Sequence, residues 1–311
     1  MRRAGADCLS ASPEISIVIP SWNGADALLA HLPSVFAAAR HAGSAEVIVT
    51  DDASDDETLE LLRTSFAQAH VVQRVERGGF APASNAGVAA ATGRYVVLLN
   101  NDMEVAPGAV ATLVEALARD PDAFAAVPSI VRVASGAEEG RTALRFRRGV
   151  LFTALDPSPA IDPAYACGGA MAFRRAEFEQ LGGFDPLFAP FYWEDVDLSY
   201  RARKRGRRVL WVPEARVDHD HGRTIGARFD PAVIARIYER NRLLFTWKNL
   251  TDPPLWRRHL AMLPAKTAWD VLAHPAFVGA LRDALQLRRE IATRRSGERR
   301  GASVSDRALL S

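Results

Sequence analysis

The chain has 311 residues, 48% of them hydrophobic and 24% charged, and its formal net charge is +2. This composition is ordinary for a globular protein with a sizeable core, and so small a net charge gives no electrostatic case for a nucleic-acid partner. The two cysteines lack metal-ligand spacing, which favours a reducing cytoplasm. The sequence has no apolar signal-peptide core and no run of about 18 apolar residues, so neither a leader nor a membrane-spanning helix is expected.

Apolar runs separated by amphipathic stretches predict alternating strands and helices in the first half of the chain. Ser54 followed by Glu57 matches a capping box and predicts the start of a helix. Pro107 suits the first turn of another helix, which runs to about Arg119. Strands are predicted at residues 15–20 (ISIVIP), 46–52 (EVIVTDD), 71–75 (VVQRV), 95–100 (YVVLLN) and 124–131 (FAAVPSIV). This alternation predicts an α/β fold with a mostly parallel sheet and helices on both faces.

The texture of the sequence changes further along the chain. Residues 133–163 are rich in Gly, Pro, Ser and charge and are predicted to be a loop excursion. Strand and helix patterns return over residues 164–250, and residues 251–311 are predicted to be a helical C-terminal extension with a basic tail. Residues 1–14 are predicted to be a flexible N-terminus, which leaves residues 15–132 as the first α/β half.

Polar side chains follow two of the predicted strands at the point where each strand ends. Asp51 and Asp52 end one strand, and Asn100, Asn101 and Asp102 end another. A single acidic strand end is often only a turn or a helix N-cap, but parallel strands bring both groups to one crevice. A carboxylate at Asp52 can accept a hydrogen bond from the imide N–H of uracil or thymine, and Asp102 can ligate a hard divalent cation.

Several motifs together resemble those of the family-2 glycosyltransferases with the GT-A fold. They are ISIVIPSWNG, VIVTDDASDDET, GFAPASNAGVAAATGRYVVLLNNDMEV, GGAMAFRR, LGGFDPLFAPFYWEDVDLSYR and VDHDHGRT, in this order. The resemblance spans about residues 15–250 and points most to bacterial rhamnosyl-, galactofuranosyl- and related transferases that build cell-surface polysaccharides. It implies a Rossmann-like GT-A fold in which residues 15–132 bind a nucleotide-sugar donor, while residues 164–250 bind the acceptor and carry catalysis.

The resemblance also implies a donor site. Asp52 matches the residue that hydrogen-bonds the pyrimidine, and Asn85 is expected near the diphosphate and the sugar, with a helix N-cap as an equal alternative. The NND triplet takes the family's DxD position, where Asn100 replaces the first acid and Asp102 keeps the place of the metal ligand. Losing the first carboxylate is expected to weaken metal affinity. The other donor-binding residues implied are Pro20, Ser21, Trp22, Asn23 and Asn101.

Asp195 matches the catalytic base in the family's Glu-Asp motif, and Glu194 is the alternate base. An inverting transfer needs a base within hydrogen-bonding reach of the acceptor hydroxyl. The preceding Tyr192 and Trp193 are expected to bind the acceptor and to raise the pKa of the base by partial desolvation. The alternative is that these acids only begin a helix, where its dipole favours negative charge.

Two further parts of the resemblance concern the sugar and the metal. Gly168 and Gly169 would let the backbone approach the sugar closely, with a β-bulge as the alternative. His219 follows a predicted strand (RVLWVP, residues 208–213) and is expected to complete the metal site, with His221 as the fallback. The cation implied, bound by Asp102 and His219, is Mg²⁺ or Mn²⁺.

The sequence therefore predicts an inverting glycosyltransferase that moves a hexosyl or deoxyhexosyl group. Its expected partners are a UDP- or dTDP-type sugar donor and a glycan or lipid-linked acceptor. Two alternatives stay open. One is a nucleotidyltransferase, which would want a basic phosphate loop where this chain has PSWNGADA. The other is a non-catalytic nucleotide- or carbohydrate-binding protein with the same fold.

The C-terminal segment is basic. Residues 252–311 contain eleven Lys or Arg and six Asp or Glu, an excess of five positive charges. Leu and Trp residues interspersed with these arginines suit the surface of an anionic bilayer. A peripheral contact of residues 251–311 with the cytoplasmic face of a membrane is therefore expected, and packing on the catalytic domain or a homodimer contact is the equal alternative.

Overall fold

The structure, a computed structural model, describes residues 14–43, 45–156, 158, 162–220, 225–273 and 276–310. The predicted flexible N-terminus lies outside these residues except for Glu14. The strands are β1 (Ile15–Ser21), β2 (Ala45–Asp51), β3 (His70–Gln73), β4 (Tyr95–Leu99), β5 (Met103–Val105), β6 (Ala123–Arg132), β7 (Thr142–Arg147), β8 (Val150–Leu155), β9 (Ala170–Arg174) and β10 (Arg208–His219). The helices are α1 (Ala25–His41), α2 (Thr58–Ser65), α3 (Phe80–Ala90), α4 (Ala109–Arg119), α5 (Arg175–Gln180), α6 (Glu194–Lys204), α7 (Ile225–Arg228), α8 (Pro231–Asn249), α9 (Pro253–Ala273), α10 (Ala276–Gln286), α11 (Arg288–Gly301) and α12 (Asp306–Leu309).

Eight strands form one sheet in the order β3-β2-β1-β4-β9-β6-β10-β5. The first four strands in this order are mutually parallel, and β10 is parallel to β6. In contrast, β9 runs antiparallel between β4 and β6, and β5 is antiparallel to β10. Every residue of β1 and β4 is buried, as expected for strands covered on both faces. The prediction of an α/β fold with a mostly parallel sheet is confirmed.

The loop excursion predicted for residues 133–163 contains a regular element. β7 and β8 form an antiparallel hairpin in which Arg147 lies opposite Val150. The two connecting residues, Arg148 and Gly149, have φ angles of +49° and +80°. Two successive left-handed residues make the kind of turn that matches the twist of a hairpin. The loop prediction is therefore corrected for residues 142–155.

The capping box predicted at Ser54 is wrong. α2 begins at Thr58 after Glu57, and no side chain caps it. The Ser54 hydroxyl oxygen instead accepts a hydrogen bond from the backbone N–H of Asn23 at 2.8 Å. Ser54 thus ties the loop after β2 to the loop after β1, because both strands end at the same edge of the sheet.

The C-terminal helices pack against the second half of the chain. α10 and α11 bury Phe277 and Ile291 in an apolar cluster with Phe245 of α8. α12 is held by the buried carboxylate of Asp306, which pairs with Lys204 Nζ of α6 at 2.8 Å. The alternative of packing on the catalytic domain therefore describes these three helices. None of the helices in the described ranges is long and apolar enough to cross a bilayer.

Candidate active site

A cavity of about 660 Å³ opens at the edge of the sheet where β1, β2 and β4 end. Its volume lies in the range usual for small-molecule sites. Of the residues predicted to bind the donor, it is lined by Pro20, Ser21, Trp22, Asn23, Asp52, Asn100 and Asn101. The strand ends therefore meet at one crevice, as the sequence predicts, while the binding role of each residue stays a prediction.

Asp52 shapes one wall of this cavity. Its side chain is buried, and its carboxylate accepts hydrogen bonds from the backbone N–H groups of Gly78 and Gly79 at 3.0 and 2.7 Å. It also forms an ion pair with Arg74. A carboxylate offers about four acceptor positions, so the protein itself uses most of the capacity of Asp52. A pyrimidine imide would be one further partner, which leaves the predicted role of Asp52 untested.

Two arginines that the sequence did not single out supply positive charge to the cavity. The guanidinium carbon of Arg77 lies 3.2 Å from the centroid of the Trp22 ring, and that of Arg228 lies 5.1 Å from it. Burial lowers the pKa of Arg77, an effect that the charge of Asp52 opposes and that of Arg228 reinforces. The lining thus combines an aromatic face with cationic groups, which suits a ring attached to an anionic group.

The NND tip places its third residue beside a histidine from a distant part of the chain. His219 lies opposite Met103 in the register of β10 and β5, so its side chain reaches the neighbouring Asp102. Its Nε2 is 3.5 Å from Asp102 Oδ1. The sequence-based pairing of Asp102 with His219 is therefore matched by the geometry. The fallback, His221, lies outside the described residues.

Glu139 is the partner of His219 that the sequence missed. Its Oε2 is 3.0 Å from His219 Nδ1, so the imidazole lies between two carboxylates. Burial by itself disfavours the charged ring, but the hydrogen bonds and charges of Asp102 and then Glu139 outweigh it and raise the pKa of His219. Glu139 arrives there because the chain turns back after β6, with the Glu139 N–H donating to Ile130 O at 2.8 Å.

The pair of Asp102 and His219 fits one divalent cation. Two neighbouring ligands bonded to Mg²⁺ at about 2.1 Å lie roughly 3 Å apart, close to the 3.5 Å between Oδ1 and Nε2. In the described part of the chain, no three His, Cys, Asp or Glu side chains are arranged to hold an ion by themselves. A cation at this pair would need further ligands, which substrate phosphates commonly supply to Mg²⁺. Glu139 then stands behind the histidine and orients it.

Replacing Glu139 by Ala is expected to lower Mn²⁺ affinity by about 10- to 100-fold, because the carboxylate that fixes the His219 ring is lost. Glu139→Gln keeps an acceptor without the charge and should lose less. Mn²⁺ binding is measured by electron paramagnetic resonance with UDP present. The control is Glu104→Gln, an exposed carboxylate on β5. Unchanged affinity in Glu139→Ala would remove Glu139 from the metal site.

A short run of backbone joins the cavity to the predicted base. The N–H of Asn100 donates to Gly169 O at 2.8 Å, and the N–H of Gly168 donates to Asp195 Oδ2 at 2.9 Å. A Cβ on Gly168 would lie 3.3 Å from both Asp195 Cβ and Phe80, a residue that also lines the cavity. The two glycines lie in the turn before β9, so the β-bulge alternative is not observed. The turn thus connects Asn100, which lines the cavity, to Asp195, which does not itself line it.

The two candidate bases differ in access. Asp195 is half-buried, and burial raises its pKa although the N–H groups of Gly168 and Val196 lower it. Glu194 is 6% exposed, and burial, followed by the charge of Asp195, raises its pKa well above the usual value. A base must both reach a hydroxyl and bind its proton. Both carboxyls have a raised pKa, and Asp195 is the more accessible of the two, so it meets the first condition better than Glu194.

The turn before Asp195 has a strained backbone. Tyr192 and Trp193 have φ angles of +75° and +77°, a conformation that costs a non-glycine residue about 1–3 kcal/mol. The buried side chain of Asn241 in α8 donates to Phe191 O at 3.0 Å and to Tyr192 O at 2.8 Å. Trp193 is itself buried and packs on Phe245, so Tyr192 alone of the predicted aromatic pair is accessible to an acceptor.

Asn85 has a different place from the one predicted. It lies in the middle of α3, so the N-cap alternative is wrong. Its amide NH₂ donates to Phe184 O at 2.8 Å, and its Oδ1 accepts from the Phe184 N–H at 2.9 Å. Both ends of the side chain are thus used in joining α3 to the following half of the chain. The structure gives Asn85 a structural role, and it does not join the residues that line the cavity.

A buried charge cluster lies behind the predicted base in α6. Asp197 accepts hydrogen bonds from Arg201 Nε at 2.7 Å, Lys248 Nζ at 2.8 Å and Asn249 at 2.7 Å. Burial would raise the pKa of Asp197, but the charges of Lys248 and Arg201 outweigh it and lower the pKa to about 2. Lys248 also pairs with Asp185 at 2.7 Å. Asp197 therefore fixes α6 to α8.

The sequence is similar to that of several enzymes with known activities. The polypeptide N-acetylgalactosaminyltransferase 10 of Rattus norvegicus is 25% identical over 299 residues, which cover 88% of this chain and 48% of the relative. The N-acetylglucosaminyl-diphospho-decaprenol L-rhamnosyltransferase of Mycobacterium tuberculosis is 29% identical over 170 residues, 49% of this chain and 54% of the relative. The chain thus spans about half the length of these relatives.

Solved structures show the same fold. GalNAc-T7 with UDP, GalNAc and Mn²⁺ superposes with a TM-score of 0.60 at 20% identity, covering 85% of this chain and 58% of that one. Residues 1–349 of S. aureus TarS with UDP-GlcNAc give 0.59 at 15% identity, covering 96% and 90%. The fold is therefore that of the GT-A glycosyltransferases. The family model described as "Glycosyl transferase family 2" matches residues 16–182, more than half of the chain, and the chain belongs to that family.

Proposed function

We propose that this protein transfers a sugar from a nucleoside-diphosphate sugar to an acceptor hydroxyl by a single displacement that inverts the anomeric centre. The observation that carries the proposal is the connection of the 660 Å³ cavity to Asp195 through Asn100, Gly169 and Gly168. Membership of the family and the names of the relatives support it. A nucleotide-sized pocket beside a carboxylate of raised pKa is what an inverting transfer requires.

In this proposal the residues of the cavity hold the donor. The nucleoside base lies near Asp52 and Trp22, and the arginines Arg77 and Arg228 contribute charge that favours the diphosphate. A cation held by Asp102 and His219 would neutralise the charge that develops on the leaving diphosphate. With the diphosphate near these arginines and the cation, the anomeric carbon would face Gly168 and Asp195.

On the other side of the sugar, Asp195 accepts the proton of the acceptor hydroxyl. Its half-buried carboxylate is fixed at Oδ2 by the N–H of Gly168 at 2.9 Å and at Oδ1 by the N–H of Val196 at 2.8 Å, and the acceptor capacity that remains on these oxygens would serve the hydroxyl. Tyr192 offers an accessible aromatic face next to it, which suits a sugar ring or another partly apolar acceptor. A lipid-linked acceptor and transfer of a rhamnosyl or related group fit the name of the mycobacterial relative.

The test is a screen of UDP-, dTDP- and GDP-sugars for release of the nucleoside diphosphate, with Mn²⁺ or Mg²⁺ and with candidate glycan and lipid-linked acceptors. Proton NMR of the product gives its anomeric configuration. Retention of the donor configuration would overturn the inverting mechanism. Binding without turnover would indicate a non-catalytic protein, and diphosphate release from a nucleoside triphosphate would indicate a nucleotidyltransferase.

Replacing Asp102 by Ala is expected to abolish the metal-dependent part of donor binding, because only the imidazole of the proposed pair remains. Calorimetry with UDP, with and without Mn²⁺, measures this part directly. Asp56→Ala is the control, since this acid also lines the cavity but belongs to the loop after β2. Wild-type affinity of Asp102→Ala in the presence of metal would show that the assignment is wrong.

A further inference from the structure

The outward face of α9 is unlike that of an ordinary surface helix. Over residues 253–269, it exposes only apolar residues and two arginines, with no acid and no uncharged polar side chain. Trp269 is 68% exposed and Leu260 is 47% exposed. The exposed residues are Pro253, Pro254, Arg257, Arg258, Leu260, Ala261, Pro264, Ala265, Ala268 and Trp269. With a rotation of 100° per residue, these ten positions cover about half of the helix circumference. A helix facing water normally carries polar residues there.

The tip of the β7–β8 hairpin extends this surface with more positive charge. Arg147 and Arg148 are exposed at the tip, and the adjoining Gly149 packs on α9, since a Cβ there would lie 2.7 Å from Met262 Cβ. His259 of α9 fixes the contact through its Nδ1, 2.7 Å from Gly149 O. We call the exposed face of α9 together with Arg147 and Arg148 the basic-apolar surface.

None of the four arginines of this surface forms an ion pair with a carboxylate among the described residues. Arg147, Arg148, Arg257 and Arg258 thus leave their charge available to a partner, although the Arg258 guanidinium also lies 5.9 Å from the Phe146 ring. By contrast, exposed Arg63 and Arg119 pair with Glu60 and Glu115 on their own helices. The surface therefore combines apolar area with uncompensated positive charge.

We propose that the basic-apolar surface binds an anionic lipid bilayer. Apolar side chains with a Trp, flanked by arginines and free of acids, are what the negatively charged interface of a bilayer accepts. α9 would lie in the plane of the interface, since no helix in the described ranges is suited to cross a membrane. α10 and α11 expose Gln286, Glu290, Thr293 and Ser296 beside their arginines, so within residues 251–311 we assign the contact to α9.

The position of this surface links it to the acceptor side of the active site. The β7–β8 hairpin, which contacts α9 at Gly149, also contacts α8 through β8. Thr153 Oγ1 of β8 is within hydrogen-bonding distance, 2.8 Å, of the hydroxyl of Tyr238 in α8. Burial raises the pKa of Tyr238, and the negative charge of Asp195 contributes to the same effect. The basic-apolar surface is thus connected to α8, whose Asn241 holds the turn before Asp195. A role for this connection in catalysis rests on the proposed function, whereas the binding of lipid does not.

The test is flotation of the full chain with vesicles of phosphatidylcholine and of equimolar phosphatidylcholine and phosphatidylglycerol. Binding is expected only to the anionic vesicles and should fall as salt is raised. Arg257→Gln with Arg258→Gln should lower the partition coefficient by about 30-fold, and Leu260→Ser with Trp269→Ser should also lower it strongly. Matched controls are Arg63→Gln with Arg119→Gln and Leu29→Ser with Val75→Ser, which remove exposed arginines and exposed apolar side chains elsewhere.

Unchanged circular dichroism and melting temperature of the four double variants exclude misfolding. Equal, negligible flotation with both kinds of vesicle would overturn the proposal. A dimer would also overturn it, if light scattering shows that the wild type is dimeric and that the variant Leu260→Ser with Trp269→Ser is monomeric. In that case the basic-apolar surface would bind a second copy of the chain. Neither result depends on glycosyl transfer, so failure of the proposed function would leave this test intact.

Discussion

Replacing Asp195 by Asn is expected to lower turnover by a factor of about 10²–10⁴ while donor binding stays nearly unchanged. The amide oxygen can still accept the hydrogen bond from the Gly168 N–H, so the geometry of the turn is kept. The amide cannot take the proton of an acceptor hydroxyl. Steady-state kcat and the dissociation constant of the nucleoside diphosphate separate these two effects.

The control for this variant is Glu194→Gln, which changes the neighbouring and more deeply buried carboxyl. A loss in Glu194→Gln with full activity in Asp195→Asn would exchange the two roles, and full activity in both would place the base elsewhere.

The pH profile adds a second measurement. Because burial raises the pKa of Asp195, and the base works deprotonated, kcat/KM of the wild type should fall as pH decreases through this raised pKa.

Replacing Asp197 by Asn is expected to lower the free energy of unfolding by about 3–5 kcal/mol, because it removes the carboxylate that two buried cations share, and only Lys248 keeps a second one, Asp185. Arg201 and Lys248 are 3% exposed at their side chains and lose their shared partner. Urea denaturation monitored by circular dichroism measures the change. Glu115→Gln, which breaks an exposed pair with Arg119, is the control and should cost at most about 1 kcal/mol.

The same variant has a signature in the acid range. The pKa of Asp197 is lowered in the folded chain to about 2, so its contribution to stability is present above the unfolded pKa and is lost as pH falls toward 2. Asp197→Asn should therefore unfold with a shallower dependence on pH between about 4 and 2. A loss of less than about 1 kcal/mol at neutral pH, together with an unchanged acid dependence, would contradict the role assigned to the cluster.

Residues at strand ends were predictable because local patterns determine them. Apolar runs fix the strands, parallel strands end at one edge, and the polar residues that follow must meet there. Asp52 and Asn100 are found at the cavity for this reason. The family resemblance identified His219 as the partner of Asp102. The two residues lie far apart in the sequence, and the register of β5 and β10 brings them together.

Glu139 and Asn241 were missed for different physical reasons. Glu139 follows a Gly- and Ser-containing stretch that suggested a loop, and the hairpin after it turns at Arg148 and Gly149 instead of the Asn-Gly pair that usually marks such a turn. Asn241 sits within a helix, and its partners around Phe191 lie about fifty residues away. No local pattern signals a side chain that acts on a distant backbone. Arg77 was missed because it stands in a loop, and Arg228 because it ends α7, a helix of four residues that is too short to show a period.

The attachment of α12 to α6 limits how this protein could be recombined with its relatives. Asp306 forms an ion pair with the buried Lys204 and accepts a hydrogen bond from the Tyr200 hydroxyl at 2.7 Å. Both of these partners lie on α6, the helix that carries Asp195. A chimera that exchanged the segment after Leu250 without a matching acid would leave a lysine ammonium buried in the helix of the base. The acceptor side and the C-terminal segment should therefore be exchanged together.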